Sequence, residues 1–176
     1  MAPSIPMKRL LPGLTAVLGV LAGCGEDGGG GEGGADSARY SADLRPLNGS
    51  GVTGKAAFES QEDGIAVRIT ASGLEPGQIL PTYVKGFAGT REARCPDSGD
   101  DLSAREARVY GDTVFALEPF PTIKPGEATL RHDLTLTPSE GELRRLEPLE
   151  RRTLVLQAGE GPRTVPVACG EISAAE

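Results

Sequence analysis

The chain has 176 residues and a net charge of −7, with no tryptophan, three cysteines and a single histidine, His132. An acidic chain without a basic surface carrying stacking aromatics is not expected to bind nucleic acid. One histidine also excludes any metal centre that needs several imidazole ligands.

The first segment of the chain resembles a bacterial lipoprotein signal. Lys8 and Arg9 precede an apolar stretch over residues 10–20, which is too short to span a bilayer as a mature helix. The stretch ends in Leu21-Ala22-Gly23-Cys24, which is similar to the lipobox cut by lipoprotein signal peptidase. We therefore expect a signal peptide over residues 1–23 and a lipid on Cys24. The alternative is an ordinary signal peptide with a chance cysteine.

Residues 24–39 are expected to form the lipidated cysteine and a tether. The segment from Gly25 to Ala35 is mostly glycine and buries too little surface to offset its ordering entropy. The lipid on Cys24 would anchor the protein to a membrane of the bacterial cell envelope. Position 25 is glycine and not the aspartate typical of inner-membrane retention, which favours the outer membrane.

The cysteine count predicts one disulfide. If Cys24 carries lipid, Cys95 and Cys169 remain as a pair in an oxidising compartment. Their bond would close a long loop and stabilise the fold by roughly 4 kcal/mol in the chain-entropy model. The alternative is two free buried thiols.

The region 40–172 reads as one all-β domain, followed by a short tail over residues 173–176. Alternating apolar residues and Gly/Pro turns predict strands, and Ser139 and Glu142 have the spacing of a helix capping box. A long polar excursion lies between Ala88 and Asp112. The predicted strands lie at about 40–44, 52–58, 65–71, 82–87, 114–117, 128–136, 153–157 and 164–168. Seven or eight short strands indicate a Greek-key β-sandwich or barrel.

Three segments carry a resemblance to copper/zinc superoxide dismutases and to the related CHRD (chordin-type) domains of bacterial lipoproteins. Residues 47–54 with Gly73-Leu74-Glu75-Pro76-Gly77 resemble the opening hairpin of that family. Residues 152–156 look like the strand that leads to a copper-ligand histidine. Residues 167–172 look like the last strand, whose cysteine forms the family's disulfide, and Cys95 lies near the position of its partner. The resemblance implies a superoxide dismutase-like fold.

The metal ligands that this family uses are missing. Where the resemblance places imidazoles, the chain has Leu80, Tyr83, Lys85 and Gln157. A lysine ammonium has no lone pair to give a metal. Pro166 stands where dismutases place the arginine that guides superoxide. The resemblance therefore implies a site that has lost copper and zinc, with no cofactor and no catalytic residue.

Two further features allow a metal but favour a plainer explanation. His132 lies on the apolar face of its strand, and we expect a mostly buried or strand-edge histidine rather than a ligand. The acidic residues from Asp97 to Asp101 do not fit an EF-hand, because position 3 is Gly99 and position 12 is Arg108. We expect an acidic, solvated loop; weak binding of divalent cations is the alternative.

These features predict a lipid-anchored envelope protein with a non-catalytic dismutase-like domain in a binding or structural role. Its partner would be an envelope protein or polymer, and the sequence leaves its oligomeric state open. One alternative is a periplasmic dismutase or copper-binding protein that uses ligands other than histidine. Another is an adhesive domain stabilised by calcium.

Overall fold

The computed structural model describes residues 38–97, 109–121, 123–127, 129–159 and 164–175. The predicted signal peptide, Cys24 and most of the tether lie outside these ranges, as do residues 98–101 of the acidic loop. Nine strands are present in the described ranges: β1 (Arg39–Pro46), β2 (Thr53–Gln61), β3 (Gly64–Ser72), β4 (Thr82–Gly86), β5 (Asp112–Leu117), β6 (Thr129–Leu136), β7 (Thr153–Ala158), β8 (Val165–Glu171) and β9 (Ser173–Ala174).

The strands form one curled antiparallel sheet in the order β5-β4-β7-β8-β1-β2-β3-β6, and the short β9 pairs with β1. β3 and β4 follow each other in the chain but are not neighbours, and the same holds for β6 and β7. Such crossing connections are typical of Greek-key folds. The all-β Greek-key prediction is confirmed, although β9 was not expected.

The hairpin of β2 and β3 forms as its alternating residues predict. Every residue from Thr53 to Gln61 has a partner in β3, and a two-residue turn joins the strands. Four residues of β3 are almost completely buried: Ile65, Val67, Ile69 and Ala71. A side chain at Gly64 would collide with the backbone of Leu136, so this position requires glycine.

The main core lies inside the curled sheet. Phe58, Val84 and Leu154 are each at most 1% exposed, and they come from strands in both halves of the sheet order. Removing a side chain of this size from water stabilises the fold by roughly 2–3 kcal/mol. Sequence alternation therefore identified the inward-facing residues, whereas the strand order brought them together.

The predicted helical turn is present as helix α1 (Glu140–Leu146). The Ser139 hydroxyl accepts from the Glu142 N–H, and the Glu142 carboxylate accepts from the Ser139 N–H at 2.9 Å. Hydrogen bonds from the Ser139 side chain and backbone hold the pKa of Glu142 below its usual value. The capping box is confirmed. A short 3-10 helix, Leu149–Arg151, follows, and in the described ranges no helix has the length and apolar character that a membrane span requires.

Charged runs such as Glu147, Glu150, Arg151 and Arg152 usually form solvated turns, and this expectation from the sequence is wrong at Arg152. The run from Glu147 to Arg152 reads as a charged, solvated turn, yet the side chain of Arg152 is buried and the residue is only 3% exposed. Glu147 and Glu150 are exposed, as expected. Periodicity cannot identify this arginine as buried, because the carbonyl groups that bind it come from other elements.

The sheet is open between its two edge strands. β5 and β6 end the strand order, and no hydrogen-bond ladder joins them within the described ranges. A groove separates them, with Phe115, Ala116 and Glu118 on one side and Asp133 and Thr135 on the other. Each edge strand therefore keeps one side that is not paired in the sheet.

Candidate functional site

The outer face of β4 and β7 holds three of the four positions where the resemblance places metal ligands. In these antiparallel strands Tyr83 lies opposite Val155 and Lys85 lies opposite Thr153. Val84, between the two β4 residues, points into the main core. Because neighbouring residues in a strand point to opposite faces, Tyr83 and Lys85 lie together on the outer face.

The outer face is covered by a second, smaller apolar cluster. Its members are Leu47, Cys95, Tyr110, Val155 and Cys169, and all are at most 6% exposed. Cys95 and Tyr110 belong to the two described ends of the excursion between β4 and β5. The excursion therefore packs back on the sheet and removes this face from water.

A disulfide between Cys95 and Cys169 joins the excursion to β8, as the cysteine count predicts. Their Cα atoms are 5.7 Å apart, a normal separation for a disulfide. The Glu171 carboxylate accepts from the Cys95 N–H at 3.1 Å and also lies 3.4 Å from the Arg45 guanidinium. The disulfide and these polar contacts hold the start of the excursion against β8 and β1.

Lys85 is buried within this covered face. It is 9% exposed, and its Nζ lies 5.5 Å from the centre of the Tyr110 ring, where the ring's negative face attracts a cation. Thr153, which pairs with Lys85 from the neighbouring strand β7, is fully buried, and its hydroxyl makes no hydrogen bond with the described residues. The position where the resemblance places an imidazole therefore holds a lysine that is packed between the strands and an aromatic ring.

The other three positions are occupied in different ways. Leu80 lies in the main core before β4 and does not join the outer face. Tyr83 is half-buried. Gln157 is 6% exposed, and its N–H donates to the Pro81 carbonyl at 2.9 Å. The structure thus brings Tyr83, Lys85 and Gln157 to neighbouring strands and separates Leu80 from them.

These residues do not fit a copper or zinc centre of the kind found in the family that the sequence resembles. Such centres depend on imidazole nitrogen, whereas the outer face offers an ammonium, a phenol and a carboxamide. Within the described ranges, no group of three or more His, Cys, Asp and Glu side chains is arranged to hold a metal ion.

Pro166 has a structural contact in place of a guiding charge. It is buried in β8 opposite Gln157, and its carbonyl accepts from the Asn48 side chain at 2.8 Å. Asn48 itself has a φ of 53°, a conformation that asparagine tolerates better than most residues. This contact ties the β1–β2 connection to β8.

His132 is half-buried on the inner side of β6. Its ring centre lies 5.2 Å from that of Phe120, and its Nε2 is buried without a hydrogen-bond partner among the described residues. The packing position agrees with a histidine on an apolar face. Asp97, the first residue of the acidic loop, is exposed, and residues 98–101 lie outside the described ranges.

Arg152 is an important side chain that sequence reasoning missed. Its guanidinium donates to four carbonyl oxygens, those of Leu146, Phe87, Arg145 and Glu147, at 2.7–3.1 Å. Burial lowers the pKa of Arg152, and the nearby Arg151 lowers it further. Three of the carbonyls lie at the end of α1, where the helix dipole is negative. A side chain at Gly86 would collide with the arginine.

Comparisons with known proteins return a distant structural likeness. No family model and no curated protein matches the chain. A variant of superoxide dismutase 5 from Candida albicans is 14% identical, with a TM-score of 0.49, and the match covers 80% of this chain and 93% of that chain. The copper(II) form of the same enzyme is 15% identical, with a TM-score of 0.45, over 80% and 94% of the two chains. Similarities this low do not indicate shared chemistry.

Proposed function

We propose that this protein is a lipid-anchored component of the bacterial cell envelope whose β domain is non-catalytic and has a binding or structural role. The anchor would be the lipid on Cys24, and the glycine-rich segment after it would let the domain move above the membrane. The segment over residues 7–24 supports this proposal through its basic start, apolar stretch and lipobox-like end.

The observation that carries the non-catalytic proposal is the burial of Lys85. A metal bound on the outer face of β4 and β7 would meet an ammonium group at a position that needs a lone pair. The packing of Tyr110 over Lys85 and the neighbouring disulfide make this face part of the folded core. We therefore propose that the domain has the β fold without a metal site and that its exposed loops contact a partner.

The first experiment measures metal content and superoxide dismutation by the full-length protein, purified without chelator, before and after loading with copper and zinc. We expect no stoichiometric metal and no activity. Near-stoichiometric copper with activity would instead establish a dismutase or copper protein with unusual ligands. A melting temperature that rises with calcium alone would favour the calcium-stabilised adhesive domain.

A matched variant shows whether the outer-face side chains are responsible. Tyr83→His combined with Lys85→His places two imidazoles two residues apart on the same face of β4. We expect this variant to bind copper at least tenfold more tightly than the wild-type protein, measured by competition with a chelator of known affinity. Equal copper binding by the two proteins would mean that Lys85 is not what excludes a metal.

The anchoring proposal has its own test. Cys24→Ser removes the thiol that would carry the lipid, so incorporation of a labelled fatty acid into the protein should be lost. The same substitution should also prevent cleavage before residue 24, so the variant should keep its apolar segment and be larger than the wild-type protein by about 2 kDa. A Cys24→Ser protein that still incorporates the fatty acid would contradict the lipid anchor without affecting the proposal for the β domain.

A further inference from the structure

The edge strand β6 is exposed to pairing with another strand. It pairs with β3 from Thr129 to Leu136, and no strand of the described ranges pairs with its other side. An edge of this kind presents a row of free N–H and C=O groups, and many proteins protect such edges with charged side chains, proline or a bulge. β6 has no proline, its register with β3 is unbroken, and its charged side chains, Arg131 and Asp133, have opposite signs. Its free edge is therefore protected against most strands but not against one that carries complementary charges.

The sequence of β6 is complementary to itself about His132. Arg131 and Asp133 flank that histidine, so an arginine on one side corresponds to an aspartate on the other. Two threonines and two leucines lie at equal distances from the same centre. The exposed face carries Thr129, Arg131, Asp133 and Thr135, and the half-buried face carries Leu130, His132 and Leu134.

We propose that β6 pairs in antiparallel fashion with β6 of a second copy of this chain, about a twofold axis at His132. Arg131 of each copy then lies opposite Asp133 of the other, and the two halves of the interface are equivalent, as twofold symmetry requires. Leu130 of each copy lies opposite Leu134 of the other. The two sheets become one continuous sheet, and every backbone group at the centre of β6 finds a partner.

The charges on the exposed face suit this pairing. Asp133 accepts from Arg131 at 2.8 Å and from Arg68 at 2.7 Å within its own chain. These hydrogen bonds, that of Arg131 first, hold the pKa of Asp133 below its usual value, so the carboxylate stays ionised. Because a carboxylate has about four acceptor sites, it can also bind Arg131 of the second copy.

The neighbouring edge strand is a poorer partner for β6 than a second copy. β5 contains Asp112 and no basic residue, so it cannot match the alternating charges of β6. Glu118, just after β5, lines the groove beside Asp133 and adds negative charge where Arg131 of the second copy would lie. The charge pattern therefore favours a second copy over closure of the sheet within one chain.

Disulfide cross-linking tests the axis directly in bacterial cells that express the full-length protein. Residues opposite each other in an antiparallel pair have Cα atoms about 4.5–5.5 Å apart, which suits a disulfide. In the proposed pairing, residue 132 is the one position that lies opposite the same residue of the second copy. His132→Cys should therefore give a cross-linked dimer on oxidation. Thr129→Cys is the matched control, because its two copies would be roughly 20 Å apart. Equal yields from both variants, no dimer from either, or a ladder of larger species would overturn the proposal.

Charge reversal tests the complementarity and needs no added cysteine. In sedimentation of the full-length protein in detergent, Arg131→Asp should raise the dimer dissociation constant about tenfold, because it places like charges opposite each other twice. Arg131→Asp combined with Asp133→Arg should return the constant to within about threefold of wild type. A wild-type protein that stays monomeric, or a double variant as weak as the single one, would overturn the proposal. Circular dichroism checks that each variant is folded. If a charge variant is not folded, the cross-linking of His132→Cys and Thr129→Cys decides the proposal.

Discussion

Two buried cations lie at neighbouring places in this fold and are stabilised in different ways. Arg152 is surrounded by four carbonyl oxygens, three of them from the end of α1, whereas Lys85 lies against the Tyr110 ring on the outer face of β4. The planar guanidinium has five donors that can hold several segments together at once, whereas an ammonium is a compact charge on a flexible stem. Arg152 is thus a structural link between elements, and Lys85 contributes a cation–ring contact within the covered outer face.

The largest expected effect is on Arg152. Arg152→Ala leaves several buried carbonyls without a donor, so we expect the free energy of unfolding to fall by about 3 kcal/mol or more, measured by urea denaturation. Arg152→Lys should recover only part of this loss, because one ammonium cannot reach all four carbonyls. Arg144→Ala is the control: its exposed ion pair with Glu140 should contribute less than about 0.5 kcal/mol. Similar losses at Arg152 and Arg144 would mean that the carbonyl contacts contribute little.

A substitution at Gly86 tests the contacts of Arg152 in a second way. Its Cβ position lies against the Arg152 side chain, so Gly86→Ala should displace the guanidinium and lower the free energy of unfolding by about 2 kcal/mol. In the Arg152→Ala background, the same glycine substitution should cost less than half as much. A double-mutant cycle by urea denaturation measures this coupling, and additive effects would show that the two residues act independently.

A smaller effect is expected at Lys85. Lys85→Met keeps most of the side-chain volume and removes three donors where Arg152→Ala removes five, so the fall in the free energy of unfolding should be about half of that at Arg152 or less. Comparison with Arg152→Ala in the same urea series tests the difference between the two cations directly. A loss at Lys85 as large as that at Arg152 would mean that the ammonium also links elements of the fold.

The smallest effect is expected at Glu142, in the helix whose last carbonyl groups bind Arg152. The pKa of Glu142 is lowered in the folded protein, so its contribution to stability is present at neutral pH and is lost as the pH falls below the ordinary value of 4.5. Glu142→Gln should therefore flatten the fall in melting temperature between pH 5 and about pH 3. Thermal melting across this range checks it, with Glu140→Gln as the control outside the capping box. Parallel curves for wild type and Glu142→Gln would contradict the role of this carboxylate.

The local features of the fold were predictable because each depends on residues close in sequence. Ile65, Val67 and Ile69 occupy every second position of β3, and the structure buries all three. Ser139 and Glu142 cap α1 with side chains only three residues apart. The positions of Tyr83, Lys85 and Gln157 on β4 and β7 were also foreseeable, since each belongs to a predicted strand.

The features that sequence reasoning missed depend on how separate elements of the fold pack against one another. Arg152 is buried because residues from the β4 end and from α1 converge on it, and nothing in the pair Arg151-Arg152 distinguishes the buried arginine from the exposed one. The outer face of β7 is buried because Tyr110 and Cys95, from the excursion between β4 and β5, pack on it.

The sequence by itself determined the all-β class, the inward faces of the strands, the helix cap and the cysteine pair, because these follow from periodicity, local spacing and residue count. Only the tertiary structure decided the strand order, the burial of Lys85 and Arg152 and the opening between β5 and β6. Those properties depend on which distant backbones approach each other. A buried cation is stable only where such an approach supplies carbonyl groups or an aromatic face to replace water.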